Sequence, residues 1–181
     1  MKLINIKPLI IFLWAVIFLS HPALCAEYEL KFGGWSYHGE SYEKDTYEYN
    51  EDHRGIGLEV FFPSDWALTP VVGAWTMEDS FNKRMVQVGG GFRYEPGFFQ
   101  DRVSAQLMVV VERRGFNEVT ESTGRSDGIY MDTNVIAIPY IQIKPFPKVG
   151  LAADFIYIPR FDSLDVETYF FRFSLSDSIL K

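Results

Sequence analysis

The sequence predicts an all-β protein, an eight-stranded antiparallel up-and-down transmembrane β-barrel. Three observations predict it. Short segments alternate between apolar residues and small or charged ones, the links between them alternate in length, and helical periodicity is hard to find. A tilted strand crosses a bilayer in roughly 9–11 residues. Barrels of the outer membrane join such strands by short periplasmic turns and longer outer loops.

Composition bounds the rest. The chain has 181 residues, one domain's worth, with 17 Lys+Arg against 24 Asp+Glu and a net charge of −7. That balance excludes a nucleic-acid binder, which needs a basic face. An apolar content of 48% excludes a disordered chain. Aromatic residues reach 17% while mean hydropathy stays at −0.02. Alternation reconciles the two. The single Cys rules out a disulfide framework and a Cys-rich zinc site. No ligand spacing implies a metal or an organic cofactor.

Residues 1–26 read as a cleaved secretory signal. Lys2 and Lys7 precede an unbroken apolar run of 11 residues, Leu9–Leu19, and Ala23-Leu24-Cys25-Ala26 offers a cleavage site. A lipidated Cys25 is the alternative, against which stands the bulky Leu24. Without Lys2 and Lys7, 15 basic residues face 24 acidic ones, and residues 27–181 form a barrel domain of charge −9.

The first strand is expected over Tyr28–His38. Tyr28, Leu30 and Phe32 share a face whose parity changes after Gly33-Gly34, so a bulge there turns Trp35 and Tyr37 outward and His38 inward. In the second, Gly55–Phe62, the residues Ile56, Leu58, Val60 and Phe62 oppose Gly55, Gly57 and Glu59. Trp66–Met77, Met85–Tyr94, Arg102–Glu112 and Val135–Ile143 follow. In Val149–Ile158 the odd positions are apolar and oppose Gly150, Ala152, Asp154 and Ile156. In Glu167–Leu175, Tyr169, Phe171, Phe173 and Leu175 oppose Phe170, Arg172 and Ser174.

Apolar faces turned outward describe a membrane barrel with a polar lumen; turned inward they would describe a lipocalin-like soluble one. The links decide. Pro63–Asp65, Glu95–Asp101 and Lys144–Lys148 are short, whereas Gly39–Arg54 and Arg113–Asn134 are long loops. An outer-membrane location follows, with odd-numbered links outside and Glu59, Asp154 and Arg172 pairing in the lumen.

Loop parity places His38, Asp79 and Ser80 at one rim. A His, an Asp and a Ser there offer a general base and a polarised hydroxyl, although Asp-Ser in a link is also a common turn former. Basic residues at the same rim, His53-Arg54, Lys83-Arg84, Arg113-Arg114 and Arg125, suit phosphates or simply solvate the loops. Six acidic residues between Glu40 and Asp52 form a solvated loop or hold divalent cations.

The segments Trp35-Ser36-Tyr37-His38, Tyr49-Asn50-Glu51, Gly55-Ile56-Gly57-Leu58 and Glu78-Asp79-Ser80-Phe81-Asn82-Lys83 resemble the lipid A palmitoyltransferase (PagP) family. So do Tyr157-Ile158-Pro159 and Phe171-Arg172-Phe173. The resemblance implies an acyltransferase moving a palmitoyl chain from a phospholipid donor to a lipid A acceptor. His38, Asp79 and Ser80 would be its catalytic residues. It also implies an inward Gly91 that floors an acyl pocket, where the bland reading is room in a crowded lumen, and Pro139 and Pro159 loosening strand pairing for lipid entry; Lys83 and Arg114, among the rim cations, are the ones expected to bind the lipid. A covalent acyl-Ser80 and direct attack by the lipid hydroxyl both stay open. The other readings are a lipid esterase and a non-enzymatic small barrel that binds lipid or a surface partner. The barrel is expected to be a monomer in the membrane.

Overall fold

Residues of alternating character can satisfy two solvents only if their backbone groups are paired along both edges of every strand. The computed structural model describes residues 26–39, 49–99, 101–120, 125–159 and 167–177. Eight strands are present: β1 Glu27–His38, β2 Asp52–Phe61, β3 Leu68–Glu78, β4 Arg84–Tyr94, β5 Val103–Thr120, β6 Arg125–Phe146, β7 Leu151–Ile158 and β8 Thr168–Ser176. Each pairs antiparallel with the next, and β1 closes on β8. A closed barrel leaves no sheet edge in lipid, where an unpaired N–H or C=O costs several kcal/mol. The expected signal segment lies outside the described residues except for Ala26.

The bulge in β1 is present. Gly33 and Gly34 have φ of 80° and 123°, which side-chain-bearing residues rarely adopt, and the register slips there against both neighbours. Beyond it Trp35 stacks on Phe171 at 5.0 Å, Tyr37 faces out, and His38 is buried.

The outward face is a band of Leu, Ile, Val and Phe, including Leu30, Leu58, Val88 and Leu107. Tyr37, Tyr169 and Tyr157 lie side by side at one end, with ring centroids 6.4 and 5.1 Å apart. Trp66, Phe98 and Phe146 stand exposed near the short turns at the other. Aromatic girdles at both ends of an apolar band are the signature of an outer-membrane barrel. The described residues thus form a membrane barrel of that type.

The lumen has two halves. Toward the short turns it is filled by charge. Lys31 Nζ lies 2.8 Å from Glu29, 2.9 Å from Asp154 and 3.3 Å from Glu59. Arg172 bridges Glu59 at 2.7 Å and Asp154 at 3.0 Å, and Arg93 binds Glu29 through both terminal nitrogens at 2.9 and 2.8 Å. Tyr140, Gln106, Gln142 and Ser174 donate to the same carboxylates. Three buried cations thus meet three buried carboxylates, with hydrogen bonds on the remaining oxygens, which is the condition for tolerating such a cluster. The expected Glu59–Asp154–Arg172 pairing is part of it; Glu29, Lys31 and Arg93 complete it.

Two expectations need correction. The outer half of the lumen is apolar, not polar: Trp75, Met85, Met108, Val110, Ile138 and Phe170 are buried there. Their strands are apolar on both faces locally, so alternation alone cannot tell inside from outside. The stretch Arg113–Asn134 is not an open loop. β5 and β6 stay paired through Phe116↔Tyr130 to Thr120↔Arg125, so most of it is a strand ribbon.

Removing one member of the charged cluster strands the others. Lys31→Ala should cost about 3–5 kcal/mol of folding stability. Lys144→Ala, at the cluster's wetter margin, should cost less than about 1 kcal/mol. Urea unfolding in detergent micelles or bilayers, followed by the heat-modifiable gel shift, checks both. A near-neutral Lys31→Ala would contradict the cluster's role.

Candidate functional site

The rim opposite the short turns gathers polar side chains from four strands. His38 closes β1, and its Nε2 lies 2.9 Å from Ser80 Oγ in the β3–β4 turn. Its ring stacks on Tyr49 at 4.6 Å, and Tyr49 meets Phe81 edge-on at 5.8 Å. The bulge makes this possible, since without the parity change His38 would face outward.

Asp79 is also at the rim, but it does another job. Its Oδ1 accepts from the backbone N–H of Phe81 at 2.9 Å and of Lys83 at 2.8 Å, and its Oδ2 accepts from Gly115 N–H at 2.6 Å. The first two bonds shape the turn, in which Asn82 takes a left-handed φ of 56°. The third fastens the turn to β5. Asp79 is completely buried, as charge-assisted bonds to backbone donors allow.

The three residues named from the sequence therefore meet only in part. His38 and Ser80 are hydrogen-bonded, whereas the carboxylate nearest the other imidazole nitrogen belongs to Glu51, 3.8 Å from Nδ1. His38 Nδ1 has no hydrogen-bond partner. A His–Ser base and nucleophile need a third group orienting the ring, and Asp79 does not supply it.

A second His–Ser pair went unrecognised in the sequence. His53 Nδ1 lies 2.7 Å from the Glu78 carbonyl, and its Nε2 lies 2.7 Å from Ser36 Oγ. A carbonyl only accepts, so Nδ1 carries the proton, and in the neutral ring Nε2 accepts from the Ser36 hydroxyl. The pair ties β1, β2 and β3 together beneath the rim. Parity held the signal: His53 falls in step with Gly55, Gly57 and Glu59, on the inward face.

Of the other candidates, Lys83 is exposed, and its backbone rather than its ammonium joins the turn. Arg114 continues the inward face of β5. Its guanidinium lies 4.0 Å from Glu112 and 5.6 Å from the Phe116 ring, with Nε unpartnered. Gly91 is on the inward face of β4, where a Cβ would overlap the Leu107 carbonyl and sit 2.8 Å from Met108 Cα. Close approach of β4 to β5 requires that glycine. Between rim and charged floor lies a chamber lined by Trp75, Met77, Met85, Met108, Ile136 and Ile138, with Arg114 among its polar residues.

Neither a family model nor a curated protein matches the chain. Among solved structures, the Yersinia pestis outer membrane protein Ail in a phospholipid nanodisc is similar with a TM-score of 0.48 and 14% identity, over 83% of this chain and 99% of that one. The crystal structure of Ail gives 0.47, 14%, 83% and 97%. Neisserial surface protein A gives 0.44, 12%, 83% and 97%.

The palmitoyltransferase expectation is corrected accordingly. No family model or curated protein supports it, and the matching structures named are of Ail and NspA. The acyltransferase reading, with its phospholipid donor and lipid A acceptor, goes with it. The residues that suggested it have local reasons: Asp79-Ser80-Phe81-Asn82-Lys83 is a turn whose carboxylate serves its own amides and β5.

If Asp79 is a turn clamp, Asp79→Ala should speed amide exchange at Phe81, Lys83 and Gly115 by about tenfold or more, the loss of one charge-assisted bond. His38→Ala should leave those amides unchanged. Site-resolved hydrogen exchange separates the two, and the reverse pattern would make Asp79 a partner of the imidazole instead.

Proposed function

We propose that the chain is a non-enzymatic outer-membrane barrel that presents the β5–β6 hairpin to a partner at the cell surface. The observation that carries this reading is the length of that hairpin. β5 and β6 have 18 and 22 residues, whereas the other strands have 8 to 12. β4 leaves β5 at Arg113, and β5 continues past the β3–β4 turn at Gly115. At about 3.4 Å per residue, the stretch from Gly115 to Thr120 adds roughly 17 Å of ribbon above the rim.

In this reading residues 1–26 direct export and are removed, the short turns face the periplasm, and the rim faces outward. The charged cluster closes the inner half of the lumen, which suits an anchor better than a pore. His38, Ser80, His53, Ser36 and Asp79 are fasteners that hold the rim and the base of the hairpin.

A lipid or another amphiphile is a second kind of partner, favoured by the apolar chamber. Arg114, with its unpartnered Nε near the mouth, would meet an anionic head while the apolar part lies among the methionines and isoleucines. Native mass spectrometry of the barrel released from membranes tests this: a retained amphiphile lost in Arg114→Ala supports it, and an empty barrel from every membrane tried refutes it.

The hairpin can be removed with the barrel wall kept, the Asn placed at position 115 still offering an N–H to Asp79 Oδ2. Replacing residues 115–131 with Asn-Gly joins Arg114 to Asp132, a facing pair, by a two-residue turn. Cells displaying the full chain should attach to one or more surfaces in a panel of matrix proteins, serum proteins, sulfated glycans and epithelial cells. The shortened chain should lose that attachment while keeping its heat-modifiable shift. Undiminished attachment by the shortened barrel would refute the reading.

A further inference from the structure

The two edges of the projecting ribbon differ. On the β5 side the β3–β4 turn packs against it and Asp79 takes the Gly115 N–H. On the β6 side, pairing with β7 runs from Phe146↔Leu151 to Tyr140↔Ile156 and stops. From Pro139 to Gly128, β6 is paired with β5 alone among the described residues.

Pro139 tells which way this edge points. It sits within the β5–β6 ladder opposite Leu107, where a residue without an N–H fits only if that position faces away from β5. Backbone direction alternates along a strand, so the amides of Ile129, Met131, Thr133, Val135 and Ala137 face the same open side. Thr133 agrees: its N–H bends back to the carboxylate of Asp132 at 2.7 Å. Continuing the β6–β7 register by one residue puts Pro139 opposite Tyr157, at the outer girdle. Among the described residues the open edge therefore begins level with that girdle.

Soluble proteins blunt such edges with lysines, prolines and bulges. Here no Lys or Arg occurs between Arg125 and Lys144, and Pro139 stands only at the foot. Met131, Val135 and Ala137 are exposed along the edge, and Asp132, whose carboxylate takes the Thr133 N–H, is the one charged residue between Gly128 and Ala137. A two-stranded ribbon is also marginal in water and gains from a third strand.

We infer that β6 between Gly128 and Ala137 is a strand-addition site, which takes an extended peptide segment of a partner protein as the next strand of the ribbon. The occupant is defined by the edge itself. Only an extended backbone offers an N–H and a C=O at every second residue to match the outward groups of 129, 131, 133, 135 and 137. Affinity comes from the main chain, and selectivity from side chains meeting Met131, Val135 and Ala137. The inference rests on the surface-partner reading and names how that partner is held.

The probe is a Thr-Val decapeptide N-methylated at alternate residues, so that it can add one strand and cannot stack further. Its fully N-methylated counterpart is the control. With the full-length barrel in nanodiscs, the probe should slow amide exchange at Met131, Val135 and Ala137 by about tenfold near millimolar peptide, leaving Tyr130 unchanged. Thr133→Pro with Val135→Pro removes outward N–H groups only, as Pro139 already does, and should abolish that protection with the gel shift intact. Equal effects of the control, or no protection at those amides, would overturn the inference. If Thr133→Pro/Val135→Pro cells attach normally while the hairpin-shortened ones do not, strand addition is wrong and the surface-partner reading stands.

Discussion

Backbone hydrogen bonding in lipid is the constraint from which the rest of this molecule follows. Inside the apolar band every strand is paired on both sides, β1 closing on β8. Among the described residues the β6–β7 ladder shifts register between Ile143 and Phe146 and ends outward at Tyr140, level with the tyrosine girdle of Tyr157 and Tyr169. Closure forces half of each strand's residues into a narrow lumen. Those nearest the short turns are charged, and they remain tolerable because each cation touches a carboxylate. Lys31 holds three, and Arg172 joins two of them again. The barrel wall and its filling thus answer one demand, that backbone groups in lipid and charges in the inner lumen each find a partner away from water.

Above the girdle the demand relaxes, and the architecture changes with it. β5 and β6 leave the wall together as a ribbon whose backbone water can satisfy. The rim below it is stiffened by short side chains. Asp79 binds its own turn and β5, His38 joins β1 to that turn through Ser80, and His53 joins β1 to β2 and β3. On the proposed reading, these bonds fix the foot of the ribbon that meets the partner.

Much of the wall was legible in the sequence. Alternation found eight strands, and the parity break at Gly33-Gly34 located the bulge and the inward turn of His38. The pairing of Glu59, Asp154 and Arg172 followed from the same parity. Other features were hidden for physical reasons. Met108–Val111 and Val135–Ile138 are apolar on both faces, so they could not reveal that the outer lumen is apolar. The ribbon's outer half, with Arg113, Arg114, Asp132 and Thr133, is polar enough to pass for loop. Asp79-Ser80 near a histidine looked like chemistry because a turn-capping carboxylate and a catalytic one are the same residue until its acceptor geometry is seen. His53 was within reach, since its inward parity was readable from Gly55, Gly57 and Glu59.

The most direct measurement is site-resolved amide exchange along β6 in a lipid bilayer. A wall closed below the girdle and an edge open above it predict two regimes on one strand. Tyr140 to Ile143 should be protected at every residue. Between Gly128 and Ile138 protection should alternate, slow at Tyr130, Asn134 and Ile136, which face β5, and fast at Met131, Val135 and Ala137, which face water. Uniform protection up to Gly128 would mean that the edge is covered, and uniform rapid exchange that the ribbon does not stand; either would contradict the structure's division into a sealed wall and an open-edged arm.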